Sequence, residues 1–266
     1  MRYFLILFLS LFSVKSICQE FSLSDSLRGS LSSYRSCYDV YYYDLNVTID
    51  DKNKQLINSY NDFYITSLED FDNIQIDLFS NLEINSILFN ENKLNFKRKF
   101  NAVFIDFSEI IKKGENVKFR VNYDGKPRKA VNPPWDGGFS WDYDKNKNPW
   151  IGVSCQGLGA SSWWPCKDHQ SDEPDSMRIT CTVRSPLKVV SNGKLISNKS
   201  GYDLKLKSKV NTSSWFVSYP INNYNVTLCA ADYAHFSDYY LSKSDTLFLD
   251  YYVLTYNETI AKEHFK

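Results

Sequence analysis

Apolar residues recur at every second position through long stretches of this sequence, and this spacing restricts the fold more than any other feature. Between Tyr41 and Ile49 the odd positions carry Tyr, Tyr, Leu, Val and Ile, whereas most even positions are polar. A period of two places the apolar side chains on one face of a β-strand and the polar ones on the other. The stretch therefore predicts a strand with one buried and one solvent-facing side.

Similar stretches follow along most of the chain. A turn signal at Asp51–Lys54 precedes a second strand that contains Ile57, Phe63 and Ile65. Further predicted strands cover Ile74–Leu78, Leu82–Leu88, Val103–Phe107, Val117–Tyr123, Ile179–Val183, Leu187–Val190, Leu204–Leu206, Trp215–Tyr219, Val226–Ala230 and Leu247–Leu254. Short strands at hairpin spacing are typical of antiparallel sheets. We expect an all-β antiparallel fold with no helix of useful length before Asn257.

Composition supports a folded domain and argues against one class of function. The 266 residues are 43% hydrophobic and 16% aromatic, which provides a substantial core. Lys and Arg number 31, as do Asp and Glu, so the formal net charge is zero. Nucleic-acid binders usually carry an excess of positive charge that neutralises phosphates. We therefore expect no nucleic-acid partner.

The first residues have the features of a secretory signal peptide, which we assign to residues 1–18. Arg2 supplies positive charge, Tyr3–Phe12 an apolar core, and Ser16–Cys18 a small-x-small pattern. The apolar core has ten residues, whereas a membrane-spanning helix needs about 20. We expect export to the periplasm, cell envelope or exterior, without a permanent membrane span.

Cleavage after Cys18 would leave an odd number of cysteines. At least one thiol must then stay free or pair with another molecule, and the sequence does not fix the connectivity. The remaining cysteines are Cys37, Cys155, Cys166, Cys181 and Cys229.

The other end of the chain changes character at Asn257. Asn257 is a plausible helix N-cap, Glu258 lies in the first turn, and Ile260 and His264 are four residues apart. We expect a Ser-rich segment at 19–36, a β-domain at 37–256 and the truncated start of a catalytic-domain helix at 257–266.

The segment Gln156–Met177, called the motif segment below, has no regular period. Its sequence, QGLGASSWWPCKDHQSDEPDSM, combines polar, charged, aromatic and Cys residues. Together with Pro133–Trp141 and Pro149–Gln156 it resembles the N-terminal β-domain of the M1 zinc aminopeptidases. The resemblance is strongest to the bacterial branch, in which an acidic insertion like His169–Asp175 follows Pro-Cys-x-Asp.

The resemblance implies a saddle- or sandwich-like domain that forms one wall of a cleft against a thermolysin-like catalytic domain. In such enzymes one zinc ion polarises the scissile carbonyl and activates water, a Glu acts as general base, and N-terminal residues are released from peptides. The expected partners are thus the amino terminus of a peptide substrate and the catalytic domain of the same polypeptide.

Gln156 is the site residue that the resemblance implies. In the family, a Gln or Glu ten residues before the Cys of Pro-Cys-x-Asp binds the free α-amine of the substrate, and Gln156 has this spacing from Cys166. A side-chain oxygen accepts directionally from an ammonium group. The alternative is that Gln156 is a strand-end residue without a function. The resemblance implies a structural role for Trp163, Trp164, Pro165, Cys166 and Asp168.

The residues that would bind zinc are missing from the sequence. None of the histidines, His169, His235 and His264, is followed by Glu, and no two are four residues apart, so the His-Glu-x-x-His helix is absent. The only methionine besides Met1, Met177, does not precede Glu, so Gly-x-Met-Glu-Asn is also absent. We expect no catalytic residue in this chain, zinc only in a full-length protein, and no activity of the fragment alone.

The same residues allow other interpretations of the function. The Cys, His and carboxylate residues at 166–175 lack the spacing of a metal site, and a Cys166–His169 nucleophile lacks an orienting third group. A secreted binding module for carbohydrate or peptide would expose Trp135, Trp141 or Trp150 in a coplanar row. The aminopeptidase interpretation instead predicts that these tryptophans are buried and that Gln156 lies at an open rim. A scaffold partner without any catalytic function is a further alternative.

Overall fold

The computed structural model of the chain describes residues 20–265, so the predicted signal peptide at 1–18 lies outside the described residues. The helices are α1 (Leu23–Gly29), α2 (Ser33–Ser36) and α3 (Glu258–His264). The strands are β1 (Tyr38–Asp50), β2 (Gln55–Ser67), β3 (Phe71–Asp77), β4 (Leu82–Phe89), β5 (Asn92–Lys93), β6 (Asn95–Lys99), β7 (Ala102–Ile111), β8 (Asn116–Gly125), β9 (Gly138–Tyr143), β10 (Pro149–Ser154), β11 (Ser176–Arg184), β12 (Lys188–Ser191), β13 (Lys194–Asp203), β14 (Ser208–Val217), β15 (Leu228–Ala231), β16 (Tyr233–Leu241) and β17 (Thr246–Leu254).

The strands form sheets of eight, four, three and two strands. The largest has the order β13-β14-β11-β1-β2-β8-β4-β5, the second β12-β15-β10-β9, the third β3-β7-β6 and the last β16-β17. The pairing is antiparallel except between β1 and β11, which run parallel. The predicted all-β, mainly antiparallel fold with a short C-terminal helix is confirmed.

Strand β1 shows how an irregularity changes the predicted alternation. Tyr43, Leu45, Val47 and Ile49 are buried as expected, but at the start of the strand Val40 is buried and Tyr41 is only half-buried. The β1–β2 register shifts between Val40 and Tyr42. A β-bulge inserts one residue and moves the following side chains to the opposite face. The expectation that Tyr41 belongs to the buried set is therefore wrong.

Aromatic side chains connect the eight-stranded sheet with the three-stranded one. Phe63 on β2 stacks on Phe119 on β8, with ring centroids 4.5 Å apart, and Phe107 on β7 meets Phe119 edge-on at 6.0 Å. All three are buried. Burial of one such side chain contributes roughly 1.5 to 3 kcal/mol, so the two sheets share one hydrophobic core.

The helices before Asn257, α1 and α2, are short and lie in the Ser-rich segment, with seven and four residues. Helix α1 begins with a capping box: the Ser22 hydroxyl accepts from the Asp25 backbone N–H at 3.2 Å, and the Asp25 carboxylate accepts from the Ser22 N–H at 2.8 Å. This arrangement satisfies two backbone donors at the helix start. The helix has seven residues, too few to show a clear apolar period.

The predicted strand at Leu204–Leu206 is also wrong. Asp203 accepts hydrogen bonds from the backbone N–H groups of Lys205 and Leu206, at 2.9 and 2.7 Å. Such Asx contacts stabilise a turn, and here the turn joins β13 to β14. Leu204 is 82% exposed at its tip.

At the C-terminus, α3 follows a 3₁₀ turn at Thr255–Asn257. Asn257 stands at the N-cap position, but its side chain makes no capping hydrogen bond, contrary to the expectation. Within residues 20–265, none of the helices has the length and apolar character required to cross a membrane.

Candidate functional site

The motif segment leaves the end of β10 and turns sharply toward the core. Gly157 and Gly159 have positive φ angles of 70° and 86°, a region that L side chains rarely adopt. The carboxylate of Asp168 lies where a Cβ atom on Gly159 would stand. It accepts from the backbone N–H and hydroxyl of Ser161, at 3.1 and 2.7 Å, and from the Ala160 N–H at 3.3 Å. Asp168 therefore fixes the 3₁₀ turn Ala160–Ser162 from inside.

The middle of the motif segment fills the space between two sheets. Trp163 and Trp164 are completely buried. Trp164 meets Tyr43 of the eight-stranded sheet at 5.1 Å, and Trp163 meets Phe139 of the four-stranded sheet at 6.2 Å, both edge-on. Among the described residues neither indole N–H has a hydrogen-bond partner. The two rings act here as apolar volume that holds the sheets together.

Main-chain contacts connect the segment to β3. The N–H of Asp77 donates to the Cys166 carbonyl at 2.8 Å, and the Cys166 N–H donates to the Asp77 carbonyl at 3.1 Å. The Asp77 carboxylate accepts from the Asp168 N–H at 3.0 Å and from the Arg35 guanidinium at 2.5 Å. Burial raises the pKa of Asp77 to about 6, and the Arg35 charge opposes that rise. Arg35 also donates to the carbonyls of Arg28 and Ser30, at 2.8 and 2.9 Å.

A second buried polar cluster lies under the next residues. Lys167, 4% exposed, donates through Nζ to the Tyr38 carbonyl at 2.8 Å and lies 3.5 Å from the Asp172 carboxylate. Asp172, which has no exposed surface, accepts from the Tyr43 hydroxyl at 3.0 Å and the Asn223 amide at 3.1 Å. Burial raises the pKa of Asp172 to about 6, while Lys167, Asn223 and Tyr43 oppose the rise. These contacts compensate part of the cost of burying two charges.

Gln156, the predicted amine-binding residue, lies at the exposed end of this structure. Its Oε1 accepts a hydrogen bond from the Tyr224 hydroxyl at 2.5 Å. The next residue, Gly157, accepts through its carbonyl from the Arg28 guanidinium of α1 at 3.2 Å. Gln156 is therefore accessible, its amide is held by Tyr224, and the backbone next to it is held by Arg28.

A cleft of about 1010 Å³ is lined by Gly157 and Tyr224, the chain neighbour and the hydrogen-bond partner of Gln156, but not by Gln156 itself. Its walls come from α1, the motif segment and the loop Asn222–Asn225, and they carry charges of both signs. The lining includes Arg28, Asp168, His169, Glu173, Asn222 and Tyr224. Burial lowers the pKa of His169, and the positive charges of Arg35 and Lys167 lower it further. Both effects favour the neutral imidazole.

The cysteines in and around the motif segment lie mostly in the interior of the domain. The described cysteines, Cys37, Cys155, Cys166, Cys181 and Cys229, are free thiols. Burial raises the pKa of Cys155 to about 12 and that of Cys166 well above its ordinary value, so both stay protonated and unreactive. Within residues 20–265, no three His, Cys, Asp or Glu side chains are grouped as metal ligands.

Trp135, Trp141 and Trp150 do not form an aromatic row. Trp135 is 78% exposed, so the expectation that it is buried is wrong. Trp141 is half-buried and stacks on Phe139 at 5.1 Å, and Trp150 is half-buried beside Gly152. An exposed Trp135 without coplanar neighbours does not favour a carbohydrate-binding platform.

Two residues that contact Gln156 and Gly157, namely Tyr224 and Arg28, were not identified from the sequence. Tyr224 lies 68 residues from Gln156, and no local pattern connects the two. Arg28 belongs to a helix whose start is visible in the Ser22-x-x-Asp25 capping box, but the box does not show which residue α1 would contact.

Solved structures with a similar fold include M1 zinc metallopeptidases. The chain resembles the M1 zinc metallopeptidase of Deinococcus radiodurans, with a TM-score of 0.65 and 16% identity over 80% of this chain and 46% of that one. A variant of that protein bound to a Tyr-Ser-Ala substrate gives 0.67 and 16% over 83% and 49%. The leukotriene A4 hydrolase of Saccharomyces cerevisiae gives 0.62 and 16% over 90% and 35%.

The chain spans less than half the length of each of these structures. A search among curated protein sequences finds no match. The family model of the peptidase M1 N-terminal domain matches residues 40–219, which include most of β1, the strands β2 to β14 and the whole motif segment. The chain therefore belongs to the M1 peptidase N-terminal domain family.

Proposed function

We propose that this chain is the substrate-amine-binding domain of an exported zinc metalloaminopeptidase that removes N-terminal residues from peptides. One observation carries the proposal: Gln156 is exposed and hydrogen-bonded to Tyr224, which lines the cleft, whereas Trp163 to Cys166, which follow it, are buried. The family membership and the Deinococcus radiodurans variant with bound Tyr-Ser-Ala support it.

The chemistry of Gln156 suits recognition of an amino terminus. An ammonium group has only donors, and the amide Oε1 is an acceptor with two lone pairs. The Tyr224 hydroxyl occupies one of them, so one remains for the substrate. A neutral amide attracts a cation less strongly than a carboxylate, and the ligand's position therefore depends on geometry more than on charge.

Zinc does not fit the residues of this chain. The His-Glu-x-x-His sequence is missing, and residues 20–265 contain no group of three potential ligands. In our proposal the metal is held by a catalytic domain on the same polypeptide, and this domain binds the amine. Export is part of the proposal and depends on the signal sequence at residues 1–18; N-terminal sequencing of the mature protein would test it.

The test compares Gln156 variants of the enzyme that contains this domain, with an aminoacyl-arylamide as substrate. We expect Gln156→Ala to raise KM at least about 10-fold, because the amine loses its acceptor. Gln156→Glu should keep KM at or below the wild-type value, since a carboxylate accepts from the same position. An unchanged KM in Gln156→Ala would refute the proposal.

The isolated chain provides a second test. We expect the 266 residues to show no chelator-sensitive hydrolysis of the same arylamide. Measurable activity abolished by a chelator would show that these residues hold a catalytic metal, and the assignment would have to be abandoned.

A further inference from the structure

We propose that Tyr224 is a positioning residue for Gln156 and fixes the side-chain amide in the orientation that receives the substrate amine. This inference rests on the function proposed above. The hydroxyl of Tyr224 and Oε1 of Gln156 are 2.5 Å apart, a short hydrogen bond between two side chains at the surface. Tyr224 lies outside the matched range 40–219, so the family match assigns it no role.

The phenol is held by a loop that is tied to the buried motif segment. Asn222 accepts from the Tyr224 backbone N–H at 2.9 Å and caps the 3₁₀ turn Asn223–Asn225. Asn223, 3% exposed, donates to the Lys167 carbonyl at 3.0 Å and to the Asp172 carboxylate at 3.1 Å. The loop thus has a buried attachment directly next to Tyr224, which keeps the hydroxyl in place.

A glutamine without such a contact would not present a defined acceptor. Its side chain has several rotatable bonds, and rotation of the terminal amide exchanges the oxygen for an NH₂ group, which repels an ammonium ion. Because the Tyr224 hydroxyl donates to Oε1, the amide oxygen rather than the NH₂ group faces the phenol. Fixing the acceptor before binding lowers the entropy lost on binding.

Stability of the fold is a weak explanation for this hydrogen bond. Tyr224 is 42% exposed and Gln156 is also exposed, so water can replace either partner. A hydrogen bond at an exposed site adds little to folding. We therefore expect Tyr224→Phe to fold normally, which makes the variant usable for kinetics.

The test is a double-mutant cycle in the enzyme that contains this domain, with an aminoacyl-arylamide as substrate. We expect Tyr224→Phe to raise KM about 3- to 10-fold with kcat changed less than about 2-fold. In a Gln156→Ala background the same substitution should change KM by less than about 1.5-fold, because the amide that it orients is gone. Tyr34→Phe is the matched control: Tyr34 is 44% exposed and packs against Phe104, away from the cleft.

The outcomes separate this inference from the function on which it rests. If Gln156→Ala raises KM while Tyr224→Phe behaves like Tyr34→Phe, the positioning role is refuted and the amine site stands. An effect of Tyr224→Phe that persists in the Gln156→Ala background also refutes it, because the role would then be independent of the amide. If Gln156→Ala leaves KM unchanged, both proposals are refuted.

Discussion

Two aromatic-rich regions of this domain have opposite environments. In the motif segment, Trp163 and Trp164 are fully buried. In the two-stranded ribbon of β16 and β17, Tyr239, Tyr240 and Phe248 are 59%, 62% and 77% exposed. The aromatic content of a stretch therefore does not decide its burial in this chain.

The difference follows from the partners of each region. The motif segment receives hydrogen bonds from distant strands, such as the one from Asn61 to the Pro165 carbonyl at 2.9 Å. The strands of the ribbon pair with each other, and its base packs through Tyr252 on Trp215 at 5.9 Å. A two-stranded ribbon has no second layer to cover its side chains, whereas the motif segment lies between two sheets.

The largest expected effect comes from truncating one aromatic side chain in each region. We expect Trp164→Ala to lower the free energy of unfolding by about 3 to 5 kcal/mol, because it leaves a large cavity between the sheets. Phe248→Ala, the matched change in the ribbon, should stay within about 0.5 kcal/mol. Urea unfolding followed by circular dichroism measures both. Equal losses of unfolding free energy in the two variants would show that Phe248 is packed in solution. They would contradict the proposed difference between the motif segment and the ribbon.

A smaller effect should separate the buried from the exposed part of the motif segment. Gly159→Ala places a methyl group on the Asp168 carboxylate and requires a positive φ, so we expect a loss of about 2 kcal/mol or more. Gly157→Ala has the same backbone requirement but open space around the Cβ, and should cost about 1 kcal/mol. Thermal unfolding of the two variants measures both losses of stability. A smaller loss for Gly159→Ala than for Gly157→Ala would contradict the close packing of Asp168.

The smallest effect concerns pH, and the two regions should respond in opposite directions. Burial raises the pKa of Asp172 to about 6, so its contribution to stability is greatest below about pH 4 and is lost as the pH rises through 6. Hydrogen bonds from Ser237 and His235 lower the pKa of Asp250 in the ribbon. Its contribution is present above about pH 4 and is lost as the pH falls.

Unfolding free energies of the wild type, Asp172→Asn and Asp250→Asn from pH 3 to pH 7 test this prediction. The difference between wild type and Asp172→Asn should decrease from pH 4 to pH 6, whereas the difference for Asp250→Asn should increase slightly from pH 3 upward. A constant difference for Asp172→Asn would mean that this carboxyl has the same pKa in the folded and unfolded chain.

The sequence predicted the strands best where one residue pattern ran without interruption. From Tyr43 to Ile49 the alternation matches the buried face of β1. It fails at Tyr41, where a register shift against β2 reverses the side chains, and at Leu204, where an Asx turn ends the strand. A bulge depends on the pairing with another strand, and a turn can depend on one polar contact. Because neither feature changes the apolar period of the sequence, the period does not predict them.

The candidate site likewise has one part that local residue spacing predicted and another part that depends on long-range contacts. Gln156 was found from its spacing to Cys166 and the residues around it. Tyr224 and Arg28, which contact Gln156 and Gly157, were not, because each comes from a different part of the chain. The exposure of Trp135 was also missed, since Pro, Trp and Gly in a loop are compatible with either environment.

The sequence by itself determined that the chain forms β-sheets, and it carried the motif that marks the family, because period, turn chemistry and residue spacing are local properties. The tertiary structure decided that the tryptophan pair fills the space between two sheets and that Gln156 stays at the surface, hydrogen-bonded to a residue that lines a cleft. Those outcomes depend on which strands and loops pack together, and such contacts join residues far apart along the chain.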